Sequence, residues 1–205
     1  MSTSLENSFL TSLLIILGLS VSSGCAFGTR HAELTYPPVD REPGALVAAA
    51  RAGEAGAACC DVVLNVSDMR AETRRIGNVR NTFGMDTADV VTSDDVRTWV
   101  EDAFKHELTS AGYAVVPAGS DHAIMLDADI TKVHCDVYLT YDGEVSMTVS
   151  LSREGMPALE KHYEGSGSVG LSWAATAQSY AGSLALALQD AVSHVMQDLA
   201  KFRNP

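Results

Sequence analysis

From Ile124 to Leu151 apolar side chains recur at every second position over most of the run: Ile124, Leu126, Ala128, Ile130, then Val133, Cys135, Val137, Leu139, then Val145, Met147, Val149, Leu151. Successive side chains of a strand point to opposite faces, so this pattern demands strands with one face buried and one wet. Asp142-Gly143 is a strong two-residue hairpin signal and Glu154-Gly155 a second one, which predicts an antiparallel meander. A final strand follows through Leu159, Lys161 and Tyr163. A sheet with one apolar face requires a second layer.

Two amphipathic helices are available to supply it. One is predicted over 94–110: Ser93 reads as the N-cap, Asp94 and Asp95 set negative charge in the first turn, and Val96, Trp99, Val100, Ala103, Phe104 and Leu108 make one apolar face. Gly112 ends it by taking a left-handed conformation. The other is predicted over 175–202, with Leu184, Leu188, Ala191, Val192, Val195, Met196, Leu199 and Phe202 as its buried stripe. The expected fold class is α+β, a two-layer sandwich of a mostly antiparallel sheet covered by two helices. Val62 to Val66 supplies one more short strand, and residues 67–92 read as a long loop or a loose strand pair.

The first 30 residues carry a different kind of signal. No charged residue occurs from Asn7 to Thr29, and Phe9 to Val21 has the length of a signal-peptide apolar region. Ser22, Ser23, Gly24 and Cys25 follow, and small residues before a cysteine are the pattern of a lipobox, where the thiol takes a diacylglycerol and the signal is removed just before it. Ser22 stands where that pattern has Leu, and Met1 to Ser8 holds Glu6 but no Lys or Arg, which a misassigned start codon would explain. A plain membrane-spanning anchor is the competing reading; Ser, Gly and Thr at both ends, and Arg30 as the one nearby basic residue, oppose it. Residues 1–24 are therefore read as a signal peptide, 25–58 as a lipidated N-terminus and flexible tether, and 59–205 as the domain. As a coil the tether would span about 30 Å, with Leu34 to Pro38 docking as a short extended piece. Ala26 is not Asp, so the inner-membrane retention signal is missing and the outer membrane is favoured.

The net charge of −12 falls to −11 once Glu6 leaves with the signal. Acidic surface repels phosphate, and the 14 Lys and Arg are scattered, which argues against nucleic-acid partners. The partner implied at the N-terminus is a membrane.

The segment 66–116 resembles the YajG-like family of bacterial lipoproteins, on Asp68-x-Arg70, the Ile76-Gly77 and Phe83-Gly84 pairs, the Asp95-centred helix start and the LTSAGY ending from Leu108 to Tyr113. That resemblance implies an outer-membrane, periplasm-facing lipoprotein with no assigned reaction, no cofactor and no catalytic residues to transfer.

Four further features bear on function. Gly165 to Gly170 spells G-x-G-x-x-G with Asp190 beyond it, but the 35 residues that follow hold one helix rather than another strand and helix, so a connection between sheet and helix is expected instead of a dinucleotide site. His134 and Asp136 share a strand face and supply two metal-ligand or acid/base groups, one short of a site. Cys59 or Cys60 bridged to Cys135, and three reduced thiols, are both compatible with the chain. Asp68 and Arg70 are candidate partner-binding residues or an internal pair that holds the 67–92 loop. The expected role is a binding or envelope-maintenance component rather than an enzyme; a metal-assisted hydrolase on His134 and Asp136 and a self-assembling structural module are the alternatives.

Overall fold

The computed structural model of the protein describes residues 28–36, 61–120, 122–170 and 177–203. Its spine is a single strand, β6 (Ile124–Val137), which runs through the two stretches that the alternation separates. A bulge at Thr131 shifts the register between Ile130 and Lys132. The extra residue lets Ile130 and Val133 both face the core although they are three apart. A phase break in the pattern is thus a bulge within one strand, not a turn between two.

One edge of β6 takes β7 (Tyr141–Ser152) antiparallel over its whole length, and β8 (Leu159–Val169) continues the meander. The other edge takes two strands end to end, both parallel: β2 (Asp61–Asp68) beside Ile124–Ile130, then β3 (Arg75–Arg80) beside Cys135–Val137. Outside β3 lie β4 (Asp86–Val91), antiparallel, and β1 (Gly28–His31), parallel to β4. Outside β2 lies the short β5 (Ala114–Val115). The eight-stranded sheet is therefore mixed: its longest pairings are antiparallel, and the N-terminal strands add in parallel. Of the two readings open for residues 67–92, a long loop or a loose strand pair, the structure has the strand pair, β3 and β4.

Both helices cover one face. Helix α1 (Val96–Ser110) buries all six residues of its predicted stripe, and α2 (Ala177–Arg203) all eight of its own. The N-cap of α1 is Asp95 rather than Ser93: its carboxylate accepts from the amides of Arg97 and Thr98, while Asp94 turns away to the amide of Leu34. The two-layer α+β sandwich expected from periodicity is the observed architecture.

Glycine governs the contact between the layers. Asp142-Gly143 is not the hairpin turn; the chain turns earlier, over Tyr138–Thr140, and Gly143 lies within β7. A Cβ on Gly143 would stand 2.4 Å from the carbonyl oxygen of Ser183 in α2. Gly165 and Gly167 lie within β8, where a Cβ would meet the carbonyl oxygens of Ala187 at 2.1 Å and Ser183 at 2.5 Å. The G-x-G-x-x-G run is thus neither a phosphate loop nor a connection. It forms a bare strip of sheet on which the backbone of α2 rests. Lys161 and the Tyr163 hydroxyl then donate to Asp198, tying the outer part of β8 to the C-terminal half of α2.

Candidate functional site

The first described residues are the least anticipated part of the fold. Gly28–His31 hydrogen-bond to β4, Ala32 is buried, the Leu34 amide donates to Asp94 at 2.7 Å, and the Tyr36 hydroxyl donates to Glu107 of α1 at 2.8 Å. Residues 28–36 therefore pack on the domain, within the stretch 25–58 expected as a tether with a docked piece at Leu34 to Pro38; residues 25–27 and 37–58 lie outside the described residues. The four residues Gly-Thr-Arg-His carry no apolar alternation because β4 supplies the pairing and the core lies elsewhere. Cys25 and the uncharged segment before it lie outside the described residues; within them no helix is long and apolar enough to cross a membrane.

Asp68 and Arg70 form one unit at the junction where the edge of β6 passes from β2 to β3. Arg70 donates through Nε (2.8 Å) and Nη2 (2.7 Å) to the two carboxylate oxygens of Asp68, and reaches the carbonyl oxygens of Thr73 and Arg75 as well. The side chains are only 6% and 13% exposed for Arg70 and Asp68. A planar guanidinium is suited to such a forked contact, and four hydrogen bonds leave it little capacity for an external ligand. The pair braces the 69–74 turn.

His134 and Asp136 do share the face of β6 away from the helices, but they are not aimed at a common ligand. Asp136 accepts a forked pair of bonds from Arg80, whose guanidinium also lies 5.1 Å from the ring centre of Tyr138. His134 faces Glu144 across the strand pair. Burial holds its imidazole below the ordinary histidine range, with Lys132 pushing the same way and Asp136 opposing. His122 and His162 sit beside Glu154 and Glu164 instead. Among the described residues no group of three or more His, Cys, Asp or Glu is placed to hold a metal. Arg80, 56 residues from Asp136 in sequence, is the partner that local reading missed.

Cys135 points the opposite way, into the core, with Sγ 3.2 Å from the Ser183 hydroxyl. Burial pushes its thiol up to about 11, so it is protonated and unreactive. It is a free thiol. Cys59 and Cys60, the other half of the bridge left open by the sequence, lie outside the described residues.

A groove of about 640 Å³ runs between residues 33–35, the end of β8 and the first turns of α2, with Glu33, Val169, Ala181, Ala185 and Leu186 among its walls. The comparisons with known proteins bear on the whole of this arrangement. A family model described as "Uncharacterized lipoprotein" matches residues 52–201. The chain belongs to that lipoprotein family. The match takes in the Asp68-Arg70 brace, both helices and the meander, and agrees with the resemblance seen over residues 66–116. Solved structures similar to this lipoprotein include a protein from Xanthomonas campestris (13% identity, 85% of this chain and 93% of that one, TM-score 0.49). Others are a minor lipoprotein from Acinetobacter baumannii (12%, 70% and 92%, 0.42) and a lipoprotein from Neisseria meningitidis (13%, 69% and 99%, 0.37). No curated protein matches this lipoprotein.

Proposed function

We propose that this lipoprotein is exported, acylated on Cys25 and held on the periplasmic face of the outer membrane, where its domain serves as a binding or envelope-maintenance component rather than an enzyme. The observation that carries the anchoring is the place of β1. The first described strand begins at Gly28, three residues after the small-residue run that ends in Cys25, so a lipid on that cysteine would lie close to the folded domain. The groove beside α2 supports a binding role, since concave, largely apolar surface with polar groups at its margin is where ligands and peptides lodge.

Fractionation of cells expressing the full chain and a Cys25→Ser variant tests the anchor. The wild-type chain is expected in the membrane pellet through carbonate and high-salt washes and at outer-membrane density on a gradient, with the variant released or left as precursor. A variant that stays mature and membrane-bound would sink the reading. For the binding role, a photocrosslinking residue in place of Leu186, which lines the groove and is 44% exposed, should give a discrete adduct in intact cells. The same probe in place of Glu160 on β8 should not. Identical patterns at both positions would argue against the groove.

A further inference from the structure

The sheet has two ends, and they differ in chemistry. At one end lie the start of β1, the β3–β4 hairpin (81–85) and the β6–β7 turn (138–140). Their grouping follows from register: Gly28 pairs with Ala88 near the start of β4, and Val79 near the end of β3 pairs with Val137 at the end of β6. The Tyr138 hydroxyl donates to the Thr82 carbonyl at 3.2 Å, so the two turns touch. The large apolar side chains most exposed on these turns are Phe83 at 85%, Leu139 at 61% and Met85 at 59%, with Tyr138 beside them at 39%.

These side chains are not needed to build the turns that carry them. Asn81 closes the hairpin alone: its side-chain oxygen accepts from the amides of Phe83 and Met85, its carbonyl from Gly84, and its amide donates to Met85. Gly84 takes the left-handed conformation, φ +78°. Polar residues would satisfy positions 83, 85 and 139 equally well, and two adjoining turns tipped with Phe, Met, Tyr and Leu are a poor surface to leave in water. The charges behind the tips are already engaged: Asp136 by Arg80, and Asp86 by the amide of Asn78 at 2.7 Å. The tips can therefore enter a less polar medium without stripping water from a bare carboxylate.

The chain outside the structure indicates which medium that is. Residue 25 lies three residues before Gly28, and three residues span at most about 11 Å. A lipid on Cys25 would therefore hold this end of the sheet, and not the other, within reach of the bilayer. We infer that the 81–85 and 138–140 turns form a membrane-seated rim, with Phe83, Met85, Tyr138 and Leu139 lying in the headgroup region of the leaflet that takes the anchor. Aromatic and Met side chains suit that depth, with an apolar body below and a polar tip above. The domain then stands on its anchored end, with the Glu154-Gly155 turn at the far end, about 40 Å away along β6 and β7 at ~3.3 Å per residue.

This inference rests on acylation at Cys25, and its test separates the two. Full-length acylated protein carrying Cys59→Ser and Cys60→Ser is extracted from membranes and reconstituted into phosphatidylethanolamine and phosphatidylglycerol vesicles. A nitroxide is attached at Phe83→Cys, Leu139→Cys or Glu154→Cys, where all three native side chains are exposed and Cys135 is buried. Flotation with the vesicles reports the anchor. The ratio of collision rates with oxygen and with a water-soluble nickel chelate reports the depth of the rim. The ratio is expected to be several-fold higher at 83 and 139 than at 154. Flotation with equal ratios at all three positions overturns the rim and leaves the anchor standing; failure to float overturns both.

Discussion

Gly28 and Ala88 face each other across a parallel strand pair, and this register couples the N-terminus of the domain to the hairpin that carries Phe83. The coupling continues through Leu34, whose amide donates to Asp94 just before α1, and Tyr36, whose hydroxyl donates to Glu107 within it. Residues 28–36 thus form a strap across the sheet edge rather than part of a long leash.

That strap should open separately from the core. Asp94→Ala removes the acceptor of the Leu34 amide, a loss of about 1 kcal/mol of local protection. Hydrogen exchange at Leu34 should speed up by roughly fivefold, taking ~1.4 kcal/mol as tenfold, while amides of β6 and β7 keep their rates. Unchanged exchange at Leu34 would mean that the strap is not held there.

The glycine strip under α2 predicts a steep contrast within one motif. Gly165→Val places side-chain atoms where the Ala187 carbonyl and the Ala191 amide already lie, so sheet and helix must part; about 3 kcal/mol or more of stability should be lost in urea unfolding. Gly170→Ala meets nothing within 4 Å among the described residues and should stay within about 0.5 kcal/mol of wild type. Equal effects at the two positions would contradict the packing role.

Arg70→Ala should cost about 3 kcal/mol, because it leaves the nearly buried Asp68 carboxylate without its counter-charge and two backbone carbonyls without a donor. Arg97→Ala on the exposed face of α1, where Glu101 lies at 2.8 Å, should cost less than about 0.5 kcal/mol. A double-mutant cycle on Asp68 and Arg70, read by urea midpoints, should show strong coupling; near-additivity would return the pair to the surface.

Acid should loosen the junction of β8 and α2. Hydrogen bonds from Lys161 and Lys201, with a further one from Tyr163, hold Asp198 down to about 2 against the usual 3.8. A carboxylate whose pKa is depressed on folding contributes stability that is fully present above its unfolded pKa. That stability is lost as pH falls from about 4 toward 2. Asp198→Asn should flatten the stability profile in that window and lower stability at pH 7; with Lys161 half exposed, solvent limits the effect to about 1 to 2 kcal/mol. A profile identical to wild type below pH 4 would show that the network carries no weight.

Periodicity made the helices and the sheet face legible, since both stripes and the alternation of β6 and β7 are direct consequences of burial. Local chemistry was less reliable where tertiary contact competed with it. Ser93, Asp94 and Asp95 are all able to cap a helix, and backbone conformation selected the third. Asp142-Gly143 has the composition of a turn, but the glycine serves an approach by Ser183, a contact 40 residues away that no local window contains. The same holds for the site residues. Asp68 and Arg70 are two apart and their pairing is readable, whereas the Arg80 partner of Asp136 and the β4 partner of β1 come from distant strands.

Both the anchor and the membrane-seated rim depend on where the mature chain begins. Intact-mass measurement of the membrane-extracted protein tests this in one spectrum. The predicted result is a chain starting at Cys25, without residues 1–24, carrying the added mass of a diacylglycerol and an N-terminal acyl group, with both additions absent from Cys25→Ser. A mature chain cut elsewhere, or one starting at residue 25 with an unmodified thiol, would contradict it.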